Sequence, residues 1–333
     1  MMISVCIPTF NQAPFIEQAI RSAYDQTLKP DEIIVFDDCS TDHTAQIIDA
    51  LTQEISILKV YRQPINLGIS GNVDSCLRAA KGDLIVRLDS DDQLLPHYIE
   101  KLASLLDQYP EAGYAHAAVQ EIDRSGNFLD KRKLFRKTGF STNETALKEA
   151  LTGYRVAANI IMFRKESLMA VNYITGRPNF GEDYHLASSI ASAGFGNAYL
   201  NEVLAFYRVW IDTGNVRQKR KLSEIDGIRR VFDDVLTLAF NKNGWDRAKV
   251  DSNRIRFAIH QSDCLGWDIY SKTEKEELAN AIYKLSSAPK VKLYVWMYSN
   301  DLGGIFKLIS TIRSTSKLFI KRAVLKVQIG SSK

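Results

Sequence analysis

The first hundred residues alternate between short apolar runs and amphipathic segments, and this alternation limits the possible folds more than any other feature of the chain. The apolar runs are typical of buried strands and lie at residues 3–7, 33–36, 58–61 and 84–88. Apolar residues recur at helical spacing in the segments between them. Strands that alternate with helices predict an α/β fold, with a Rossmann-like, mainly parallel sheet flanked by helices on both faces.

Polar and acidic residues directly follow each of the four predicted strands. Ligands of open parallel sheets bind outside the carboxyl ends of the strands, so these residues predict a ligand site at one edge of the sheet. In chain order the candidates are Pro8, Thr9, Phe10 and Asn11, then Asp37 and Asp38, then Asn66 and Gly68, and finally Asp89, Ser90, Asp91 and Asp92.

Three aspartates at the end of the fourth strand need a compensating positive charge, because neighbouring carboxylates raise one another's pKa. A hard divalent cation is one solution, since it takes one or two carboxylates together with water and substrate phosphates. In an extended segment Asp89 and Asp91 point to the same side, and Asp92 is turned aside or caps the next helix. A solvated acidic turn before a helix that starts near Pro96 is the alternative.

The end of the second strand carries a similar acidic segment. Ser40 or Thr41 is expected to cap the following helix, whose dipole favours nearby acids. Helix capping does not account for Asp37 and Asp38, which directly end the strand. A carboxylate there could accept a ring N–H of a nucleobase. Phe10 could stack on the same base, although a place in the core is an equal alternative for this ring.

A third candidate is the segment GEDYHL at residues 181–186, which begins a predicted helix. Acids are favoured at a helix start in any case. A carboxylate that faces a cleft there can also act as a general base towards an alcohol, and Asp183 is the candidate. His185 is expected to be peripheral.

The pattern changes after residue 113, and two domains are predicted, at residues 1–215 and 216–333. Residues 130–141 are basic and poorly periodic and are predicted to form a mobile loop. Strands are predicted at residues 113–122, 159–163 and 198–210, a helix at 182–193, and only helices after residue 215.

Composition narrows the class of protein. The 333 residues are 45% hydrophobic and 25% charged, with a net charge of +4, which is typical of a soluble globular protein and gives no case for nucleic acid. The four cysteines lack the spacing of metal or redox motifs, so reduced thiols in a cytoplasmic protein are predicted. Neither a signal peptide nor a membrane span is expected.

Taken in order, six motifs resemble the inverting glycosyltransferases of family 2, which have the GT-A fold. The motifs are SVCIPTFNQ, IIVFDDCSTDHT, NLGISGN, AAKGDLIVRLDSDDQLLP, GEDYHL and FYRVW. The resemblance covers roughly residues 3 to 215 and implies a bacterial enzyme that moves a sugar from a nucleotide-sugar donor to a glycan or lipid-linked glycan. UDP is the expected nucleotide, since an aspartate and an aromatic ring suit uracil.

Site residues follow from the resemblance position by position. Asp183 would be the base, Asp91 together with Asp89 would bind Mn²⁺ or Mg²⁺, and Asp38 would contact the nucleobase. The nucleotide-sugar contacts would be Pro8, Thr9, Phe10, Asn11, Asp38, Asn66, Gly68, Asp89, Ser90 and Arg208.

Two positions depart from the family pattern. Many relatives carry a histidine that approaches the metal or the diphosphate, where this chain has Trp210 two residues after Arg208. Many also carry an Arg-Asn pair in the helix after the third strand, where this chain has Val73-Asp74, with Asn72 beside them. Both departures bear on the diphosphate end of the site.

The C-terminal residues 318–328, LFIKRAVLKVQ, mix basic and apolar side chains. A basic amphipathic helix of this kind can lie on an anionic membrane surface, which would place the protein at the inner face of the plasma membrane. An ordinary terminal helix and a dimer contact remain alternatives.

Other functions fit less well. A non-catalytic relative that binds nucleotide sugars and a metal-dependent phosphotransferase stay as alternatives. A signalling receiver domain would be shorter and would need a lysine at a later strand end. A dinucleotide oxidoreductase is disfavoured because no Gly-x-Gly-x-x-Gly follows the first strand.

Overall fold

The computed structural model describes residues 1–178, 180–210 and 216–304. Ten strands are present in these ranges: β1 Ile3–Thr9, β2 Glu32–Asp37, β3 Leu58–Arg62, β4 Leu84–Arg87, β5 Gln93–Leu94, β6 Ala112–Ile122, β7 Phe128–Arg132, β8 Gly139–Ser141, β9 Ile161–Arg164 and β10 Gly196–Arg208. The helices of the first 210 residues are α1 Ile16–Tyr24, α2 Thr44–Thr52, α3 Gly68–Ala79, α4 Tyr98–Gln108, α5 Asn143–Ala150, α6 Lys165–Ala170 and α7 Glu182–Ser192.

The described chain after residue 215 is helical. Its α-helices are α8 Val216–Lys219, α9 Lys221–Arg230, α10 Thr237–Lys242, α11 Arg247–Gln261, α12 Lys272–Leu285 and α13 Pro289–Ser299. A π-helical turn at Val231–Leu236 joins α9 to α10, and a 3₁₀ turn at Ser262–Gly266 follows α11. The predicted helical C-terminal region is therefore confirmed as far as residue 304.

All ten strands form one sheet, in the order β3-β2-β1-β4-β9-β6-β10-β5, with β7 added to β6 and β8 added to β10. Strands β1, β2, β3, β4, β6 and β10 run in the same direction, and β5, β7, β8 and β9 run against them. The predicted fold class, a mainly parallel sheet flanked by helices, is confirmed.

Strand β1 shows why helices cover both faces of the sheet. Its successive side chains point to opposite faces, so Val5 and Ile7 pack in one buried cluster and Cys6 packs in another. Helix α1 packs on the first cluster through an apolar stripe that includes Ile16 and Ile20. Helix α3 packs on the second through residues that include Leu77.

The carboxyl ends of β1, β2 and β4 meet at one edge of the sheet. The Asp38 backbone N–H donates to the Thr9 carbonyl at 2.9 Å, and the Leu88 N–H donates to the Cys6 carbonyl at 3.0 Å. Strand β1 lies between β2 and β4. The strands that follow β1 are therefore added first on one side of it, as β2 and β3, and then on the other side, as β4. Open α/β sheets bind ligands at such a switch point.

Two local predictions are wrong. The predicted loop at 130–141 contains the end of β7 and the whole of β8. All five residues of β7 are exposed, so no alternation of polar and apolar side chains marks it as a strand. Neither Ser40 nor Thr41 caps α2, which begins at Thr44, and the Ser40 hydroxyl accepts a bond from the Asn11 N–H instead.

The chain divides into two compact units. One comprises Met1–Arg217 and Arg230–Val250, and the other comprises Gln218–Arg229 and the chain from Asp251 onwards. The predicted division into domains 1–215 and 216–333 stays a prediction. In the second unit, α12 starts with a capping box between Ser271 and Glu274 and buries one apolar side on its neighbours.

Within the described ranges, no helix has the length and apolarity needed to cross a membrane. The basic segment at residues 318–328 lies outside the described residues. All four cysteines are free, and Cys6, Cys76 and Cys264 are buried, as expected for small apolar side chains.

Candidate active site

A buried arginine lies at the centre of the acidic edge. Arg87 is the last residue of β4, and its side chain is only 4% exposed. Its guanidinium contacts the Asp183 carboxylate, donates from Nε to Asp89 at 3.1 Å, and lies 3.9 Å from Glu182. The compensating charge that the aspartates require is thus supplied in part by the protein itself.

The two acids at the start of α7 form the other wall of this cluster. Helix α7 follows Gly181, whose φ of +74° lies in the left-handed region that favours glycine. Glu182 and Asp183 are both buried. Burial raises the pKa of Glu182 to about 8 and also raises the pKa of Asp183, while the Arg87 guanidinium acts in the opposite direction on both. A pair of this kind carries one negative charge more readily than two.

The three aspartates after β4 point to different partners. Asp89 faces Arg87, and the Asp91 Oδ2 accepts a bond of 2.5 Å from the Trp210 indole N–H. Asp92 is buried and accepts the Arg208 backbone N–H at 2.7 Å, so it anchors the end of β10. Burial raises the pKa of both Asp91 and Asp92. Asp92 is turned aside, one of the two roles expected for it.

Trp210 occupies the place where the family pattern has a histidine. Besides its bond to Asp91, its ring packs edge-on against Phe15 at 5.6 Å between centroids. The Arg124 guanidinium lies 5.4 Å from the Trp210 ring. The indole therefore contacts the aspartate that is expected to bind a metal.

Arg208 holds the loops of this region together. Its guanidinium donates to the carbonyls of Asp91 at 2.8 Å, Asp123 at 2.8 Å and Arg124 at 3.1 Å, and it lies 4.4 Å from the Phe15 ring. These bonds use neutral acceptors, so the positive charge of Arg208 stays close to Asp91 without a direct ion pair to it.

The ends of β1 and β2 form the second part of the site. Phe10 is 45% exposed, and the buried Thr9 hydroxyl has no hydrogen-bond partner among the residues that the structure describes. Asp38 is buried beside them and accepts the Leu67 N–H at 2.8 Å. Pro8, in β1, lies opposite Phe36 of β2. An exposed ring beside an aspartate is an arrangement that can hold a nucleobase.

Three other predicted site residues shape the loops. Asn11 has a φ of +52° and accepts the Thr41 N–H at 2.8 Å. Asn66 donates to the Asp38 carbonyl at 2.9 Å and accepts the N–H of Gly68, whose φ is +71°. Ser90 is buried in the turn after β4.

The second departure from the family pattern also has a structural role. Asp74 in α3 accepts the backbone N–H groups of Ile174 at 2.8 Å and Thr175 at 3.0 Å, and it pairs with Arg78 at 2.7 Å. Asn72 donates to the Phe36 carbonyl at 2.9 Å. These side chains join α3 to the rest of the first unit.

His185 lies away from the acidic cluster, as the sequence predicts. Its Nε2 is 3.2 Å from Asp234, and its Nδ1 is 2.5 Å from the Arg177 guanidinium. Burial and the neighbouring arginine lower the pKa of His185 to about 4, so this ring is neutral near pH 7.

A metal site made only of protein groups is absent from the part of the chain that the structure describes, where no three His, Cys, Asp or Glu side chains are placed to share an ion. Asp89 lies close enough to raise the pKa of Asp91, although the two carboxylates accept bonds from different partners, Arg87 and Trp210. This donor set fits Mn²⁺ or Mg²⁺, which take one or two carboxylates and complete their shell with water and substrate phosphates.

Comparison with known proteins decides the family. The model of "Glycosyl transferase family 2" matches residues 4–169, a stretch that contains β1 to β4 and the acidic segment after β4. The chain belongs to glycosyltransferase family 2. This membership confirms the family named from the motifs. Four of the six motifs lie within the matched residues, and GEDYHL and FYRVW lie beyond them.

The individual relatives and solved structures share only a limited fraction of identical residues with this chain. The GalNAc(5)-diNAcBac-PP-undecaprenol beta-1,3-glucosyltransferase of Campylobacter jejuni is 31% identical over 169 residues, which are 50% of this chain and 52% of that protein. The chain thus matches about half the length of this relative. The S. aureus TarS 1–349 structure has a TM-score of 0.68 at 15% identity and covers 92% of both chains.

A third comparison is with the mannosyltransferase PcManGT from Pyrobaculum calidifontis, solved with GDP-Man and Mn²⁺. Its TM-score is 0.55 at 17% identity, and it covers 92% of this chain and 86% of its own. TarS has also been solved with UDP-GlcNAc. At these identities the likenesses show a shared fold, in agreement with the predicted GT-A architecture.

Neither a role for Arg87 nor the contact between Trp210 and Asp91 follows from the sequence motifs. A signal for Arg87 was present, because a charged residue within the apolar run 84–88 is buried in a parallel sheet and needs a partner. No sequence signal indicates that Trp210 donates to Asp91, since the two residues are 119 positions apart.

Proposed function

We propose that this chain is an inverting, metal-dependent glycosyltransferase. It would move a sugar from a nucleotide-sugar donor to a hydroxyl of a glycan or lipid-linked glycan in bacterial surface polysaccharide synthesis, on the cytoplasmic side of the membrane. The observation that carries the proposal is the buried cluster in which Arg87 joins Asp183 to Asp89 at the edge of the sheet.

The donor nucleoside would bind at the ends of β1 and β2. The exposed Phe10 ring would stack on the base, Asp38 would accept a ring N–H, and the Thr9 hydroxyl would gain a partner. A UDP-sugar is the donor we favour, because one acceptor and one stacking ring suit uracil. TarS, with the same fold, has been solved with UDP-GlcNAc, whereas PcManGT has been solved with GDP-Man.

The diphosphate would lie at the aspartates after β4. Asp91, with Asp89 beside it, would hold Mn²⁺ or Mg²⁺. The ion, when bound, offsets the negative charge of the departing nucleoside diphosphate. Asp91 already accepts the indole N–H of Trp210, so its orientation is fixed before the donor arrives.

The transfer itself would depend on Asp183. Its carboxylate would take the proton of the acceptor hydroxyl, and the acceptor oxygen would bond to the anomeric carbon on the side opposite the diphosphate. The bond from that carbon to the diphosphate oxygen would break, which inverts the anomeric configuration. Arg87 would hold the Asp183 carboxylate in position and favour its charged form.

The reaction can be tested before the acceptor is identified. The protein would be incubated with UDP-, GDP- and dTDP-sugars and Mn²⁺, with and without an extract of bacterial lipids, and release of free nucleotide would be measured. We expect release from one donor class, with a product of inverted anomeric configuration by NMR. Retention of configuration would contradict the proposed role of Asp183.

A non-catalytic nucleotide-sugar-binding protein is the second candidate. The hydrogen bond from Trp210 to Asp91 favours it, because an indole cannot ligate a metal as a histidine can. Tight donor binding with no release of nucleotide under any of these conditions would support this second function.

A further inference from the structure

Residues 128–137, FLDKRKLFRK, include five basic residues and one acidic residue and extend from β7 towards β8. Strand β7 is an edge strand, which pairs with β6 and with no other strand of the described chain. From Leu129 to Lys137, Arg132 and Arg136 contact β10 while the odd-numbered residues are exposed, so this part of the chain has an inward and an outward side.

The inward side packs on β10. The Phe128 ring, although it is 69% exposed, lies 5.5 Å from Phe206, and the Arg132 guanidinium lies 4.8 Å from the Tyr207 ring. Further along, Arg136 donates to the Asn197 side chain at 2.8 Å. These contacts hold the segment against β10, so the orientation of its other side is defined.

The outward side consists of Leu129, Lys131, Lys133, Phe135 and Lys137, which are all exposed. Phe135 is fully exposed, at 106% of its reference area. None of the three lysines forms an ion pair with another residue in the described ranges. Strands β6 and β7 form an antiparallel hairpin, and we call these five residues, which lie in β7 and in the chain after it, the hairpin face.

Part of this composition has an ordinary explanation. Lysines on an edge strand discourage pairing with other strands. That function does not require a fully exposed phenylalanine between two lysines. Exposed apolar groups among unpaired cations match an anionic lipid surface, where the lysines meet the headgroups and the apolar side chains enter the boundary with the acyl chains.

We propose that the hairpin face docks on the surface of an anionic lipid bilayer. The turn that precedes it is part of the candidate active site, because the carbonyls of Asp123 and Arg124 accept bonds from Arg208, and Arg124 lies against Trp210. Insofar as the proposed function holds, docking would bring the site to the level of a lipid-linked acceptor. Lipid binding itself does not depend on sugar transfer.

The test is flotation of the full chain with phosphatidylcholine vesicles, with and without phosphatidylglycerol. One variant combines Leu129→Ser with Phe135→Ser, and another replaces Lys131, Lys133 and Lys137 with glutamine. The matched controls are Met169→Ser with Leu238→Ser, and Lys284, Lys290 and Lys292 replaced with glutamine, which change residues elsewhere that are also exposed. Circular dichroism and thermal unfolding establish that each variant is folded.

We expect the wild type and both controls to float only with the anionic vesicles, and both hairpin variants to bind at least about tenfold more weakly. Failure of the folded wild type to float would overturn the proposal. Equal flotation with neutral vesicles would also overturn it. Hairpin variants that float as well as the wild type would overturn it as well, because membrane binding would then belong to another segment, such as 318–328.

Two further measurements separate the remaining explanations. If light scattering shows that the hairpin variants lose self-association while lipid binding is absent, the face is an interface between two copies, and the proposal is wrong. Nucleotide binding by calorimetry should be unchanged in the hairpin variants, so a failure of lipid docking is distinguishable from a failure of the proposed function.

Discussion

The guanidinium of Arg87 contacts the carboxylate of Asp183, which is 96 residues away in the chain. The same guanidinium reaches Asp89 at 3.1 Å, so one buried cation connects the end of β4 to the start of α7. This contact fixes the proposed base relative to the proposed donor side of the site. Breaking a buried pair by removal of one partner is strongly destabilising, so the contact also contributes to the fold.

Replacement of Arg87 should reduce turnover more than donor affinity. Arg87→Lys keeps one positive charge but loses the planar fork that reaches two carboxylates. We expect kcat to fall roughly ten- to hundredfold, with a smaller change in the donor KM. The kcat of Arg87→Met should fall further. The acid limb of its pH profile of kcat should also move to higher pH, because the group that lowers the pKa of Asp183 is gone.

Arg62→Lys is the control for that experiment, since Arg62 forms an exposed ion pair with Asp49. It should behave as the wild type. A purely structural role for Arg87 would appear as less folded protein with an unchanged pH profile of kcat, and that result would remove Arg87 from the mechanism.

Loss of the Asp183 carboxylate should stop the chemistry and spare donor binding. Asp183→Asn cannot take a proton from the acceptor, so kcat should fall about 10²- to 10⁴-fold. Nucleotide affinity by calorimetry should stay close to that of the wild type, because the nucleoside is proposed to bind at β1 and β2. Asp107→Asn, at an exposed position of α4, is the matched control. Full activity in Asp183→Asn would rule out this residue as the base.

Glu182 should make stability depend on pH. Its pKa of about 8 in the folded protein is above the ordinary glutamate value near 4.3, so its contribution to stability is complete at low pH. That contribution is lost as the pH rises from the unfolded value through the folded value of about 8, because only the unfolded state ionises readily.

The measurement is thermal unfolding of the wild type and Glu182→Gln between pH 5 and pH 9. The amide cannot ionise, so the variant should gain stability relative to the wild type as pH rises, by roughly 3–4 kcal/mol between pH 5 and pH 8. A difference that does not change with pH would show that Glu182 is ionised in the folded protein.

Trp210 should set the metal requirement. Trp210→His replaces an indole that can only donate a hydrogen bond with an imidazole that can ligate a metal. The Mn²⁺ concentration for half-maximal activity should fall, on the order of tenfold. Trp245→His, at a ring that packs on Phe240 instead, is the control. An unchanged or higher Mn²⁺ requirement in Trp210→His would place the metal away from Asp91.

Much of the fold was predictable because β1, β2 and β4 are continuous apolar runs buried on both faces. Strands β7 and β8 were not, because their pairing depends on β6 and β10 and leaves no local pattern in the basic segment. Residues Arg230–Val250 pack with the first unit although they follow the predicted domain boundary, since that packing depends on contacts distant in sequence.

For the site, the strand ends predicted that polar and acidic residues meet at one edge of the sheet, and that this edge binds the donor stays a prediction. The structure also brings Asp183 to Asp89 through their shared contacts with Arg87, which the sequence did not indicate. The individual partners were beyond sequence reasoning. Spacing alone predicted that Asp89 and Asp91 share one face, yet the turn after β4 directs Asp89 to Arg87 and Asp91 to Trp210. Only the three-dimensional positions of α7 and of the end of β10 decide these contacts.

Calorimetry with UDP, GDP, dTDP and CMP, with and without Mn²⁺, tests the central claim most directly when it compares the wild type with Asp91→Asn. Asp49→Asn, at the exposed ion pair with Arg62, is the matched control. We predict that one nucleotide, UDP, binds in a Mn²⁺-dependent manner to the wild type and the control, and that Asp91→Asn loses this binding. Absence of binding of all four nucleotides to the folded wild type would contradict the proposed donor site.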